Sequence, residues 1–279
     1  MMGDLIDVHT HLGEVVYGDP RRKPLTVQQL IDTMNRIGVD KSVLLPLDSP
    51  EASDAYFTVD AALRARDMFP ERLIPFCCVD PRRSNPRRRI ERYKEMGCMG
   101  FGEHKVGLPI DDPRSVEIYR LCGELGLPVL IHMDHLITPR LNWDEPGLPR
   151  LRKLAEELSG TVFILHGPGW WSEISAEVEE GVAYPKGPVK RGGAADMILQ
   201  ECPNVYADLS AGSGYNALTR DPEFTKEFLE RNWKKLLFGT DYLHAGQSLP
   251  IADLIYKLPI EEEKAKAIRH ENARKLLKL

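Results

Sequence analysis

A single α/β domain closed as a (β/α)8 TIM barrel is the fold this sequence predicts, on three observations. Short apolar, β-rich runs alternate with longer segments of helical spacing from one end to the other. Parallel strands need a crossover between them, and those segments supply it. Eight such units fit in 279 residues, close to the ~250 residues of a typical closed barrel. Finally, no Gly-x-Gly-x-x-Gly follows the first strand, which disfavours the open, doubly wound alternative.

The elements follow in order. Leu5 to His9 is the first strand. Thr26 caps a helix from Val27 to Ile37, with Leu30, Ile31 and Met34 at helical spacing, and Gly38 stops it. Ser42 to Pro46 is the second strand, followed by a helix from about Ser53 to Met68 that Pro70 bounds. The third strand is Leu73 to Val79. An arginine-rich helix spans Asn85 to Met96, its Arg87, Arg88 and Arg89 read as a solvated face. The fourth strand, Cys98 to Glu103, is short. A helix from Pro113 to Leu125 ends at Gly126, and the fifth strand is Pro128 to His132. A long polar loop at about 133–149 precedes a helix from Leu148 to Leu158. The sixth strand is Val162 to His166, and a second long loop fills about 167–193. A helix from Ala194 to Glu201, a seventh strand from Val205 to Leu209, and a helix from Pro222 to Arg231 come next. Leu236 to Asp241 is the eighth strand, and helices at Ile251 to Leu258 and Glu261 to Leu277 close the chain, with His270 a structural residue of the last.

Bulk properties narrow the partners. A net charge of -5 disfavours a nucleic-acid or membrane surface and leaves a small-molecule substrate as the expected partner. No run approaches the roughly 18 apolar residues of a spanning helix. The start lacks a basic n-region, and its apolar run is too short for a signal peptide. Five cysteines in mostly apolar contexts read as reduced core residues of a cytoplasmic protein. A homo-oligomer is compatible with the scaffold, although no interface is readable.

The polar residues gather at strand ends. In an extended Leu5–His9 segment, His9 and His11 project from one face, so two imidazoles can close on one cation. Glu103, His104 and Lys105 follow the fourth strand, His132 ends the fifth, His166 the sixth and Asp241 the eighth. In a barrel these ends converge on one mouth, where catalytic groups sit. A single histidine after an apolar run is more often structural. Three such strands plus a terminal aspartate make a nitrogen–carboxylate ligand set suited to a divalent ion.

Asp7-Val8-His9-Thr10-His11, the strand-end His132 and His166, and Gly239-Thr240-Asp241 followed by His244 resemble the amidohydrolase superfamily. The closing Asn272-Ala273-Arg274-Lys275-Leu276-Leu277 resembles its amidohydrolase-related branch, which includes decarboxylases of the aminocarboxymuconate-semialdehyde type and small lactonases. The resemblance implies that His9, His11, His132 and Asp241 ligate metal. It implies that His166 acts on substrate or water in single-metal members and ligates a second ion in two-metal members. Gly102-Glu103 departs from the decarboxylase pattern and resembles the fourth-strand glutamate ligand of TatD-type nucleases. Lys105 is a second candidate there, by likeness to carbamylated lysine bridges; otherwise it pairs with Glu103 or receives a substrate carboxylate. Zinc is the first expectation, as one or two ions, with manganese, iron or nickel as alternatives.

The implied mechanism is hydrolysis. A bound ion lowers the pKa of water from 15.7 toward ~7. Asp241 takes the proton and passes it to the leaving group, while the ion or His166 polarises the attacked carbonyl. The expected activity is cleavage of an amide, ester or lactone; a non-oxidative decarboxylase is the alternative. A TatD-like nuclease and a barrel whose metal is structural are further alternatives. Over the mouth, the loops offer His135, Arg140 and Trp143, and Trp170, Trp171, Tyr184, Lys186 and Arg191, as walls for a small planar or carboxylated substrate. His244 is a further substrate-side candidate. Trp170 and Trp171 read equally well as packing residues.

Overall fold

The computed structural model describes residues 5–15, 19, 21–52, 55–134, 140–179 and 181–279. His135 and the expected helix start at Ser53 lie outside the described residues.

Eight parallel strands form the wall: β1 Leu5–Thr10, β2 Val39–Leu44, β3 Leu73–Pro75, β4 Phe101–His104, β5 Val129–His132, β6 Phe163–His166, β7 Val205–Asp208 and β8 Leu236–Leu237. Regular pairing runs β1-β2-β3 in one arc and β4-β5-β6-β7-β8 in another. Isolated bridges and single hydrogen bonds join the arcs. Cys77 pairs with Phe101 just beyond β3. The Val8 amide donates to the Phe238 carbonyl at 2.9 Å, the Asp241 amide to the His9 carbonyl at 2.9 Å, and Thr10 bridges Tyr242. The ring is therefore closed, and the eighth strand continues as irregular backbone that still hydrogen-bonds to β1. β3 and β8 are shorter than the apolar runs suggest because ladder pairing there gives way to these single contacts.

The local chemistry follows the sequence. Helix α1, Val27–Ile37, carries a Thr26–Gln29 capping box and ends at Gly38 in the left-handed region, φ 79°. Its Leu30, Ile31, Thr33 and Met34 are buried. Helix α2 is Val59–Met68, capped by Thr58 and not from Ser53. Helices α3 Pro86–Glu95, α4 Pro113–Leu125 and α5 Pro149–Glu157 each begin with proline, whose fixed φ suits a first turn. Arg87 on α3 is exposed, as a solvated face requires. Helices α6 Ala194–Glu201, α7 Ala211–Thr219 and α8 Pro222–Asn232 complete the outer layer before the C-terminal region. Sequence reasoning overlooked α7, because Gly212, Ser213 and Gly214 are poor helix formers.

Ile6, Val8, Val43, Leu45, Ile74, Phe76, Leu130, Ile164 and Leu237 make one apolar cluster with Ala273 and Leu277 of the last helix. Asn272 donates to the carbonyls of Trp233 and Leu236 at 2.7 and 2.9 Å, which fastens that helix to the start of β8. The expected single helix Glu261–Leu277 is interrupted by a π-turn, Ala267–Glu271, which contains His270. The Ile268 carbonyl in that turn accepts from the Phe238 amide at 3.1 Å.

Gly102 has φ 147°, and a Cβ on it would lie 2.8 Å from the Leu130 carbonyl oxygen. Only glycine lets β4 lie this close to β5 with that backbone. Gly102→Ala is expected to lower stability by more than about 1 kcal/mol, read as a fall in Tm, and to loosen the adjacent Glu103.

Candidate metal centre

The strand ends bring six of the sequence-predicted residues together. His9 Nε2 and His11 Nε2 are 3.2 Å apart, and Asp241 Oδ1 lies 3.4 Å from each. Glu103 Oε2 is 3.5 Å from His11 Nε2, and Glu103 Oε1 is 4.0 Å from His9 Nε2. On its other side, Glu103 Oε1 accepts from His132 Nδ1 at 2.8 Å. Three groups of possible donors result, each with its atoms within 4.8 Å of one another: His9, His11 and Asp241; Glu103, His132 and His166; and, behind these two, His9, His166 and Asp208. Glu103 reaches toward the first two.

Tautomers decide what these rings can do. His9 Nδ1 faces Asp208 Oδ2 at 2.6 Å, and His11 Nδ1 faces the Leu45 carbonyl at 2.8 Å. Both partners are acceptors, so each Nδ1 carries the hydrogen and each Nε2 presents a lone pair. Two lone pairs at 3.2 Å repel each other unless a cation or a proton lies with them. Glu103 Oε2 is buried and has no hydrogen-bond partner, and an orphaned anionic oxygen in an apolar setting is costly. The facing nitrogens, the orphaned oxygen and the mixed imidazole–carboxylate donors therefore fit a divalent cation.

The electrostatics agree. Burial opposes charge on Glu103, but Lys105, with Nζ at 3.8 Å, and the His132 ring hold its carboxyl well below the usual range. Burial, followed by Lys105, pushes His132 down to about 4, so it is a neutral imidazole with a lone pair to offer. Asp241 is partly buried, which opposes its charge, yet positive charge at the His9–His11 pair outweighs that and holds its carboxyl below the usual range. Its backbone sits in the left-handed region, φ 53°, which aspartate tolerates better than most residues. Asp7, fully buried, binds the Thr240 amide and hydroxyl at 3.0 and 2.6 Å and the His9 amide at 3.0 Å. It thus sets the spacing of the two segments that carry His9 and Asp241.

The loop candidates part company. Trp170 and Trp171 are packing residues, 0 % and 2 % exposed, on a one-turn helix at Pro168–Trp171. The Trp171 indole donates to the Asp208 carbonyl at 3.0 Å and its ring meets Phe228 edge-on. Both rings are buried in this structure, which favours the packing reading over contact with a substrate. Trp143 stacks under the guanidinium groups of Arg140 and Arg150, 5.9 and 5.1 Å from its centroid. Its neighbour Asn142 donates to the carbonyls of His132 and His104, holding that loop at the β4–β5 rim. His244 Nδ1 lies 3.2 Å from the Ala245 carbonyl, in the loop after Asp241. Among the described residues, no hydrogen bond or ion pair joins Arg140, Trp143 or His244 to the histidine–carboxylate cluster. Tyr184 is half-exposed, and burial of its hydroxyl, followed by the charge of Asp241, pushes that group above its ordinary range. All five cysteines are buried and unbridged. No helix among the described residues is long and apolar enough to cross a membrane.

Sequence reasoning overlooked Asp208. It is fully buried at the end of β7, and its Oδ2 reaches His9, His166 and Ser210. A signal was present: an aspartate closing an otherwise apolar strand, Val205-Tyr206-Ala207-Asp208, at the same rim as the histidines.

The family described as Amidohydrolase matches residues 6–279. No curated protein matches the chain. Among solved structures, a probable 2-pyrone-4,6-dicarboxylic acid hydrolase from Acinetobacter baumannii, with citric acid bound, is 16% identical, with 99% of this chain and 100% of that one covered and a TM-score of 0.64. A dihydroxybenzoic acid decarboxylase from Polaromonas, with manganese and 2-nitroresorcinol bound, is 20% identical over 100% and 98%, with a TM-score of 0.65. An uncharacterized TIM-barrel protein from Bordetella bronchiseptica is 15% identical over 98% of each chain, with a TM-score of 0.69.

Proposed function

We propose, from the premise that the chain belongs to the amidohydrolase family, that it is a metal-dependent hydrolase cleaving a C–N or C–O bond, as in an amide, ester or lactone, in a small molecule. The observation that carries this reading is Glu103, whose carboxylate stands between the His9–His11–Asp241 set and the His132–His166 set. In that arrangement His9, His11 and Asp241 would hold one ion and His132 and His166 a second, with Glu103 within reach of both sets. Zinc suits the donors best; manganese, iron and nickel also accept imidazole and carboxylate.

When bound, divalent ions supply positive charge that polarises a carbonyl and acidifies water. The chain's own groups do the rest. Asp241 Oδ1 faces both imidazoles, which leaves Oδ2 to accept a proton from the attacking water and return it to the leaving group. Its side chain is 17% exposed, so water can reach it. His166 is held by Ser210 and Asp208 through Nδ1, so its Nε2 is the atom aimed at the centre. The closed wall of strands keeps bulk water from the other sides.

A second reading has its own observation. Lys105 puts an ammonium beside Glu103 at 3.8 Å and is mostly buried. A substrate carboxylate drawn to it would favour non-oxidative decarboxylation on the same scaffold. The two outcomes differ in atoms: hydrolysis takes one water oxygen into product, and decarboxylation releases carbon dioxide without it. Assay of candidate substrates in ¹⁸O-water, with carbon dioxide trapping, separates them. The metal requirement is tested first. Protein purified without added metal is expected to contain a divalent ion by elemental analysis, to lose activity on chelation and to regain it with zinc or manganese. A metal-free preparation insensitive to chelator overturns the proposal.

A further inference from the structure

We infer that Asp208 is a positioning residue that fixes the tautomers of one histidine in each donor set, and so couples the two halves of the centre. The inference rests on the metal-binding part of the reading above.

Asp208 is fully buried, and both of its oxygens are committed. Oδ1 accepts the Ser210 amide at 2.9 Å. Oδ2 takes His9 Nδ1 at 2.6 Å and the Ser210 hydroxyl at 2.8 Å, and it lies 3.3 Å from His166 Nδ1. The Ser210 hydroxyl is also 2.9 Å from His166 Nδ1. His9 belongs to the His11–Asp241 set and His166 to the Glu103–His132 set, and Asp208 groups with these two histidines in turn, so one carboxylate touches both. Two features show a seat built for it. Gly239 leaves it room, since a Cβ there would lie 2.4 Å from Asp208 Oδ1. Ser210 occupies the N-cap position of α7 but makes no capping bond. Its hydroxyl is turned to Asp208 and His166 instead, although serine at that position ordinarily stabilises a helix start.

The consequence is specific. A carboxylate at Oδ2 accepts the His9 Nδ1 hydrogen and leaves Nε2 bare. In Asp208→Asn one oxygen becomes an NH2 donor. The remaining oxygen is needed for the Ser210 amide at Oδ1, where an NH2 would meet another donor. The amide nitrogen then faces His9 Nδ1, and the ring's hydrogen must move to Nε2, the atom that faces His11. A tautomer reversal of this kind disables a histidine without displacing it.

The test uses full-length Asp208→Asn and Ser210→Ala beside wild type, with folding checked by circular dichroism. Zinc affinity and stoichiometry are measured by competition with a chelating dye, and ¹⁵N-histidine NMR of the metal-free proteins reports which ring nitrogen carries hydrogen. Asp208→Asn is expected to bind zinc at least tenfold more weakly and to lose the His9 Nδ1 hydrogen. Ser210→Ala is expected to keep that hydrogen while weakening only the second zinc equivalent. In Asp208→Asn, retention of either the wild-type affinity or the Nδ1 hydrogen overturns the inference. Should Asp208→Asn not fold, Ser210→Ala decides, and two equivalents bound as in wild type overturn it. Wild type that binds no zinc defeats the metal reading itself, a separate outcome.

Discussion

Asp241→Asn is expected to lose at least about 1,000-fold in turnover, roughly 4 kcal/mol of barrier, while keeping its fold and at least one bound ion. The carboxylate sits 3.4 Å from two imidazole nitrogens with its ring-facing oxygen already committed. An amide of the same shape keeps that oxygen and can still face a cation. What it loses is basicity: an amide cannot take a proton from water at any accessible pH. General-base removal alone accounts for about 10²–10⁴-fold, and a lost ligand charge adds to it. The fold is unaffected, because β8 is fastened by the Asp241 and Val8 amides and by the Asp7–Thr240 bonds, none of which uses the Asp241 carboxylate. The measurements are steady-state kinetics, metal content and Tm for the same preparation. Turnover within tenfold of wild type removes Asp241 as the base.

The residues that were legible in sequence share one property. Each stands at the end of an apolar run, where the period of a strand and the topology of a barrel fix its direction without knowledge of its neighbours. His9, His11, Glu103, His132, His166 and Asp241 are all of this kind. Helix α1 was legible to the residue because its capping box and Gly38 are local signals. Asp208 was not, because its meaning depends on His9, 199 positions away. A carboxylate at the end of a seventh strand reads as an ordinary polar terminus until its partner is known. Trp170 and Trp171 leave two readings open in sequence for the opposite reason. Adjacent tryptophans in a long loop suggest a ligand wall, but a proline-initiated turn tucks both under the outer helices, where the Asp208 carbonyl takes the Trp171 indole hydrogen. Helix α7 was hidden by its glycines. Gly214 is needed there because a Cβ would lie 2.3 Å from the Leu209 carbonyl oxygen, a packing demand that overrides helix propensity.

Glu103→Gln gives the second large effect and tests the number of ions. In the wild type one oxygen faces the first-strand histidines and the other binds His132, and Lys105 helps to keep the group ionised. Glutamine offers one neutral oxygen and one NH2, so it can serve one side only. Its NH2 must point either at imidazole lone pairs, where it blocks an ion, or at His132, whose ring would have to reverse. Metal content is therefore expected to fall from about two ions per chain to about one, and turnover by at least about 100-fold, the scale set by loss of a charged group at a reacting centre. Stability separates a shared ligand from a residue that merely orients His132. An ion bound only by the folded chain raises Tm by mass action, about 2.7 kcal/mol of stabilisation at 100 times Kd. The gap in Tm between zinc-loaded and metal-free protein should shrink in Glu103→Gln if Glu103 joins two sites. In the metal-free protein the substitution should cost less, since it also removes a buried anion whose Oε2 has no hydrogen-bond partner. An unchanged gap, with two ions still bound, would make Glu103 an orienting partner of His132 and return the centre to a single ion at His9, His11 and Asp241.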